Sequence, residues 1–181
     1  MGELVVLPDG DHEVQVLALG DAFDRRAEAE ALVADLDDAI EVGRAALASL
    51  PAASRTVSVA TIYPGPSVAA WVDGPIDVPD TLLALGFTLH PSAAEVSGSD
   101  GGRLYLSAEQ IGLLDAETIV AMQSEHVEGE AAAIEQTADN PLWAGLPAVA
   151  AGRVVTVDRL GYPGIAGRIR LVDDLVRLLG S

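Results

Sequence analysis

The 181-residue sequence contains no cysteine, so the protein can form neither disulfide bonds nor thiolate-based catalytic or metal sites. It also has few basic residues: 10 arginines and no lysine stand against 28 acidic residues, which gives a formal net charge of −18. This charge repels nucleic acid phosphates and anionic membrane surfaces. No uninterrupted apolar run reaches the length that spans a bilayer. We therefore expect neither nucleic acid binding nor direct membrane insertion.

The first residues, MGELVVLPDGD, lack the basic segment followed by an apolar segment that marks an export signal. Half of the residues are apolar, which is typical of a globular protein. The length suits a single core of ordinary size. We expect a folded chain that carries no targeting signal of its own.

The first 50 residues predict one short strand and two helices. ELVVLP (3–8) favours a strand, and a helix follows over about residues 11–19. Asp24 is the predicted N-cap of a second helix that runs to about residue 50, with apolar residues at spacings of three and four. At 1.5 Å per residue, its roughly 26 residues would span about 39 Å, longer than a crossover helix in a small domain requires. We interpret it as an interdomain helix.

Strands and helices alternate after Pro51. The predicted strands are residues 55–62, 117–122 and 152–158, and the predicted helices are residues 77–86, 107–115, 127–139 and 165–179. Parallel strands need crossover connections of about this length. The pattern therefore predicts a three-layer α/β fold, with a mostly parallel sheet, helices on both faces and a long interdomain-type helix before it.

Candidate ligand contacts lie where the strands end, because open α/β sheets bind ligands at the carboxyl ends of their strands. Tyr63 and Trp71 fall in the predicted loop after the first strand of this region, and Tyr162 falls in the loop after the last. Their rings could stack on a planar ligand, or could simply cover the sheet edge. Arg103, after a glycine-rich segment, is a candidate for contact with an anionic ligand or an ordinary solvated side chain.

No constellation of catalytic residues can be assembled from the sequence. His12, His90 and His126 are scattered, none has a second histidine at metal-ligand spacing, and there is no G-x-S-x-G nucleophile motif. We expect no catalytic residues and no protein-bound metal. The alternative is a small α/β enzyme that acts at the strand-end loops.

Four segments, taken in order and spacing, resemble the C-terminal lobe of the iron–siderophore substrate-binding proteins of ABC importers. This class of periplasmic binding proteins joins its two lobes by a long helix. The segments are LALGDAFDRRAEAEALVADLDDAI, LLALGF, LSAEQIGLLDAETIVAM and NPLWAGLPAVAAGRVVTVD. Together they extend over nearly the whole chain.

The resemblance implies a division of the chain into three parts. Residues 1–10 would be a remnant or crossover strand, residues 11–50 the interdomain helical segment, and residues 51–181 the C-terminal α/β lobe. The N-terminal lobe and the export signal of such receptors would be missing, so we expect the chain to be a fragment of a larger protein.

The function that the resemblance implies is binding of a ferric siderophore outside the cytoplasmic membrane and its delivery to an ABC permease. The siderophore would chelate the iron, so no cofactor is expected. The resemblance matches Glu109 to the acidic residue that such receptors present to the permease, although an N-terminal capping role beside Ser107 explains it equally well. A haem or cobalamin receptor lobe, or a stand-alone interaction module, is the alternative.

Overall fold

A computed structural model describes residues 6–8, 11–64, 67–73, 76–124 and 126–180. Most of the predicted strand at residues 3–8 lies outside this set. The described chain forms seven α-helices: α1 His12–Ala22, α2 Arg26–Ala46, α3 Asp77–Ala84, α4 Glu130–Ala138, α5 Pro141–Ala144, α6 Pro147–Ala150 and α7 Gly164–Leu179. Two 3₁₀ helices cover Ala53–Arg55 and Ala108–Leu113.

Six strands form one sheet: β1 Thr56–Ile62, β2 Val68–Trp71, β3 Thr88–Leu89, β4 Arg103–Leu106, β5 Thr118–Gln123 and β6 Val154–Asp158. Their order is β4-β2-β1-β5-β6, and β3 pairs with the start of β1. The pairs β1–β3, β1–β5 and β5–β6 are parallel, whereas β2 is antiparallel to both β1 and β4. The predicted, mostly parallel sheet is thus confirmed.

Helices cover both faces of the sheet, as the alternating pattern predicted. On one face, α2, α3 and α7 share a core with inward residues of β1, β5 and β6; its fully buried members include Leu36, Val59, Leu82, Val120 and Leu175. On the other face, the second 3₁₀ helix and α4 to α6 pack on Ala60, Ile119 and Leu106. These two cores make the three layers of the predicted fold.

The second helix differs from its prediction in length and in its start. It has 21 residues, and Arg25 occupies the N-cap position without a side-chain capping hydrogen bond. Asp24 is not the cap: it has a φ of 53°, in the left-handed region, and belongs to the tight turn that separates α1 from α2. Asp11, by contrast, caps α1 by accepting a hydrogen bond from the Val14 N–H.

A glycine allows α2 to approach its neighbours closely. A Cβ atom placed on Gly43 would lie 2.7 Å from Leu85 Cδ2 and 3.0 Å from Val172 Cγ1. Such distances are well inside van der Waals contact, so a side chain at this position would have to push the Leu85 and Val172 side chains aside. The helix is therefore packed into the lobe along its apolar face.

Sequence reasoning missed two strands at one edge of the sheet. The segment YPGPSVAAW was predicted as a loop, yet Val68–Trp71 is β2, and Arg103–Leu106 is β4. The helix predicted at residues 107–115 is a 3₁₀ helix over Ala108–Leu113, with Ser107 as its N-cap in a capping box with Gln110. The helix predicted from residue 127 begins at Glu130.

The segment NPLWAGLP forms two short helices that cover the sheet. The Asn140 side chain accepts a hydrogen bond from the Leu142 N–H and so caps α5. Trp143 and Leu146 are buried in the second core, whereas Leu142 is half exposed instead of covering the sheet. Within the described residues, no helix is both long and apolar enough to cross a membrane.

Candidate ligand-binding site

One edge of the sheet brings together the carboxyl ends of four strands. The ends of β1, β5 and β6 meet there because these strands are parallel. β4 is antiparallel to β2, which is antiparallel to β1, so β4 also ends at this edge. Residues following all four strands can therefore contribute to one site.

A cluster of three aromatic residues and one arginine lies beside this edge: Tyr63 follows β1, and the side chain of Arg103, the first residue of β4, reaches towards it. The rings of Tyr63 and Tyr105 stack with their centroids 6.4 Å apart. The Arg103 guanidinium lies 5.3 Å from the centroid of the Trp71 ring and 5.7 Å from that of Tyr105. We call these four residues the aromatic rim. The guanidinium of Arg103 is planar and lies between two aromatic rings. Such an arrangement is suited to contact an anionic ligand that has flat groups.

Strand register explains how these side chains meet. Trp71 pairs with Arg103 across β2 and β4, and Ala69 pairs with Tyr105. Directly opposite residues, and residues two apart on one strand, project from the same face of a sheet. The small side chain of Ala69 leaves room for the Tyr105 ring, which is exposed over 56% of its surface.

Trp71 is placed differently from the predicted loop position. It ends β2 and is only 5% exposed, and its indole N–H donates a hydrogen bond to Thr61 Oγ1 at 2.9 Å. At the rim, Trp71 thus contacts Arg103 through the face of its indole ring, in a cation–π interaction. Trp71 was predicted in a loop, whereas it ends a buried strand that the proline and glycine residues before it concealed.

Hydrogen bonding fixes the charge of Arg103. The hydrogen bond with Tyr63 raises the pKa of the Arg103 guanidinium above its ordinary value, and the neighbouring Tyr105 adds to this effect. The side chain is exposed enough to be reached from solvent. It is therefore a permanent positive charge at the edge of a strongly acidic protein.

A second arginine reaches the same edge from the end of β6. Arg159 directs Nη2 and Nε to the two oxygens of Glu130, the first residue of α4, and the shortest of these contacts is 2.6 Å. The Glu130 side chain is 1% exposed and also accepts the Ser124 N–H at 2.8 Å. The hydrogen bonds to Glu130 raise the pKa of Arg159, with a smaller electrostatic contribution from Tyr63.

Tyr162, the second predicted tyrosine, lies at the same edge but is engaged by α7. Its hydroxyl donates to Asp174 Oδ2 at 2.8 Å, and its ring packs against the core of the face covered by α2, α3 and α7. Burial and the bond to Asp174 raise the pKa of Tyr162 to about 12. Its phenol is thus occupied by the lobe itself, and only its exposed edge remains for a ligand.

Glu109 is fully exposed near the start of the second 3₁₀ helix, which follows β4. Hydrogen bonds with its own backbone N–H and with Ser107 lower the pKa of its carboxyl group. The charge is thus both part of the helix start and free to meet a partner from solvent. The geometry is compatible with the capping and docking interpretations alike.

Two further observations bear on bound groups. Among the described residues, no three His, Asp or Glu side chains are grouped so as to hold a metal ion. At the end of the central strand β5, Gln123 Oε1 is buried and has no hydrogen-bond partner within the described part of the chain. A donor from water or from a ligand would satisfy this oxygen.

Sequence reasoning missed Tyr105, Arg159 and Glu130. Tyr105 was overlooked because β4 was not recognised as a strand. Arg159 follows directly on the last strand, at a position from which carboxyl-end loops contact ligands, and that position was the available signal. Glu130 resembles any glutamate in the first turn of a helix, so only the coordinates reveal its buried pairing.

The model of the periplasmic binding protein family matches residues 4–159. This chain belongs to that family. The resemblance stated from the sequence is therefore confirmed at the family level, and the family consists of extracytoplasmic binding proteins rather than enzymes. No curated protein matches the chain in sequence.

Solved structures of other periplasmic binding proteins have the same fold. SirA of Staphylococcus aureus is 23% identical with a TM-score of 0.76, over 95% of this chain and 66% of SirA. A siderophore-binding protein from the fuscachelin gene cluster of Thermobifida fusca is 21% identical with a TM-score of 0.73, over 96% and 61%. A FhuD-fold component of a ferrichrome ABC transporter from Bacillus subtilis is 15% identical with a TM-score of 0.77, over 94% and 64%. The chain thus spans less than two thirds of each.

Proposed function

We propose that this chain is the C-terminal lobe of an extracytoplasmic receptor that binds a ferric siderophore and delivers it to an ABC importer. The observation that carries the proposal is the aromatic rim at the carboxyl edge of the sheet, where Arg103 lies between the rings of Trp71 and Tyr105. The similar structures support it, since SirA has been solved in complex with staphyloferrin B.

The rim has the chemistry that a ferric siderophore requires of a receptor. Such a chelate carries its iron within its own oxygen ligands, so the protein need only recognise the outer surface of the complex. Stacked aromatic faces supply apolar contact, and a guanidinium supplies directed donors to oxygen atoms. The iron is cargo in this proposal, and the protein contributes no ligand to it.

A second lobe would complete the site. This chain matches 66% of SirA and 61% of the protein from the fuscachelin gene cluster, so the unmatched part of each leaves room for another lobe. A groove of about 500 Å³ between α1 and α2 has an apolar lining, and Phe23 beside it is 64% exposed. We propose that the ligand is held between the rim and that second lobe, and that one lobe alone binds it weakly.

Glu109 is the proposed contact with the permease. It is exposed at the sheet edge that carries the rim, and like-charge substitution there would disturb docking without touching the ligand. In this proposal the carboxylate meets an arginine of the permease.

A fluorescence titration tests the proposed ligand class. Trp71 underlies Arg103, so a chelate at the rim should quench its emission; replacing the other tryptophan, Trp143→Phe, leaves Trp71 as the only reporter. We expect quenching by ferric citrate or ferric trihydroxamate and none by iron-free trihydroxamate, haemin or cobalamin. Quenching by haemin or cobalamin alone would contradict siderophore binding in favour of a tetrapyrrole receptor. Quenching by none of the probes at millimolar concentration would contradict binding at the rim.

A further inference from the structure

The buried pair formed by Glu130 and Arg159 stands out from the other ion pairs of the lobe. Most of the others involve two side chains that are each at least 30% exposed, whereas Glu130 is 1% and Arg159 28% exposed. Taking a carboxylate out of water costs more than a single neutral hydrogen bond returns, so such a group needs full pairing. Glu130 obtains it from Nε and Nη2 of Arg159 and from the Ser124 N–H.

The pair also fixes which part of Arg159 remains available. Both oxygens of Glu130 contact the Nε and Nη2 side of the guanidinium. No described residue accepts a hydrogen bond from Nη1. Among the described residues, the guanidinium is therefore held from one side only, and no described acceptor contacts the other side.

The turn before Glu130 is anchored beside the rim. Gly129 has a φ of 85°, and a Cβ atom there would lie 3.1 Å from Pro64 Cγ. Pro64 follows Tyr63 directly, so the turn that carries Glu130 packs against the segment that carries the rim tyrosine. Three strand ends, those of β1, β5 and β6, are thereby tied together through Pro64, Ser124 and Arg159.

We propose that Glu130 is a positioning residue of the ligand site: it holds Arg159 beside Tyr63 so that the Nη1 edge donates hydrogen bonds to oxygen atoms of the bound chelate. The inference rests on the proposed function. It makes the site two-sided, with Arg103 supported by aromatic rings on one side of Tyr63 and Arg159 supported by a buried carboxylate on the other.

Two opposite effects of removing the Glu130 charge must be separated. Glu130→Gln frees Arg159 to move, which weakens binding by the cost of ordering a flexible side chain. It also leaves Arg159 uncompensated, which attracts an anionic chelate. Salt weakens the attraction of the uncompensated Arg159 for an anionic chelate, since the Debye screening length is only about 4 Å at 0.5 M ionic strength. Salt does not change the cost of ordering the side chain.

The test measures ferric citrate binding in 0.5 M NaCl by Trp71 fluorescence in the Trp143→Phe background. We expect Glu130→Gln to weaken binding about three- to tenfold, the range expected for ordering one long side chain. The matched control is Glu117→Gln, which breaks the pair of Glu117 with Arg153 at the opposite edge of the same two strands and should leave binding unchanged. Equal affinity of Glu130→Gln and the unsubstituted protein, or an equal loss in Glu117→Gln, would overturn the proposal.

A double-substitution cycle separates positioning from folding. In an Arg159→Met background, Glu130→Gln should cause no further loss of ferric citrate binding, because Glu130 acts only through Arg159. The double variant buries no uncompensated charge, whereas Arg159→Met alone leaves the Glu130 carboxylate buried without its partner, so circular dichroism of both variants must first show the same fold. A further loss in that background would assign Glu130 a structural role and overturn the proposal.

A readout without ligand distinguishes this inference from the proposed function. The Arg159 Nε–H proton should exchange slowly with solvent in the unsubstituted protein and fast in Glu130→Gln, as followed by NMR. Slow exchange in both proteins would overturn the positioning role, whatever the chain binds. A third outcome is fast exchange in Glu130→Gln alone, together with no chelate binding by the unsubstituted protein. That outcome would overturn the proposed function but would still support the positioning of Arg159 by Glu130.

Discussion

Arg103 lies 5.3 Å above the Trp71 ring, and the indole N–H beneath it is bonded to Thr61 on the neighbouring strand. The guanidinium is thus supported by a residue that is itself fixed in the sheet. A cation over an indole face gains about 0.5–1 kcal/mol at an exposed site, and the arrangement restricts the conformations that Arg103 can adopt. The stacked orientation of Arg103 is therefore favoured about two- to fivefold by this contact.

Arg103→Gln should weaken ferric chelate binding at least tenfold, because it removes a charge-assisted donor worth about 1.5–3 kcal/mol. The Trp71 emission should also change in the unliganded protein, since the cation over its ring is lost. Arg153→Gln at the opposite sheet edge serves as the control. Equal chelate affinities in the two variants would contradict the assignment of Arg103 to the site.

Gly43→Val should destabilise the lobe by about 1–3 kcal/mol, since the new side chain must displace Leu85 and Val172 where α2 meets α3 and α7. Urea unfolding followed by circular dichroism measures the change. Gly112→Val is the matched control, because a Cβ atom there meets no atom within 4 Å. A loss of the same size in both variants would show that glycine replacement, rather than crowding of the helices, is responsible.

The layered fold could be predicted from the sequence because its central strands are buried on both faces. Residues 55–62 and 117–122 are short runs rich in β-branched and small apolar residues, and helices with clear apolar spacing separate them. β2 and β4 lacked such signals. VAAW contains two alanines, which have low strand propensity, and RLYL follows directly on a glycine-rich segment that indicates a loop. Neither segment was therefore recognised as a strand. Their antiparallel pairing depends on contacts that local patterns do not contain.

The site was predictable only in outline. Strand ends indicated where to look and made Tyr63 a candidate, whereas Arg103 was a candidate because it follows a glycine-rich segment. Trp71 belongs to an unrecognised strand and not to a loop, and the Tyr162 phenol is bonded to Asp174, a residue 12 positions away on α7. Long-range partners of this kind decide what a side chain can do, and they become visible only in the folded chain.

Tyr162 should make stability decrease between about pH 10 and 12. Its pKa is 10.0 in an unfolded chain and about 12 in the lobe, so the unfolded chain loses this proton first as the pH rises. The stabilisation is complete below pH 10 and is lost as the pH approaches 12. Unfolding of the unsubstituted protein and of Tyr162→Phe, compared at several alkaline pH values, isolates this contribution. Parallel pH profiles of the two proteins would contradict it.

Glu109→Arg in a receptor that also contains the second lobe should leave siderophore affinity intact and reduce uptake through the permease. The carboxylate is exposed and is no part of the rim, so the change would place like charges against each other only at the proposed contact with the permease. Glu109→Gln should have a weaker effect on uptake. Unchanged transport by Glu109→Arg would leave capping of the 3₁₀ helix as the only role of this residue.

The most direct test of the account is to map where a ferric siderophore touches this chain. We would titrate the ¹⁵N-labelled chain with a gallium-substituted siderophore, which is diamagnetic, and follow the backbone amide signals. We predict a dissociation constant weaker than micromolar, because without the proposed second lobe one side of the site is open to water, and we expect the largest shifts at Tyr63, Arg103, Tyr105 and Arg159. Submicromolar binding by this lobe alone, or shifts concentrated around Glu117 and Arg153 at the opposite edge, would contradict it.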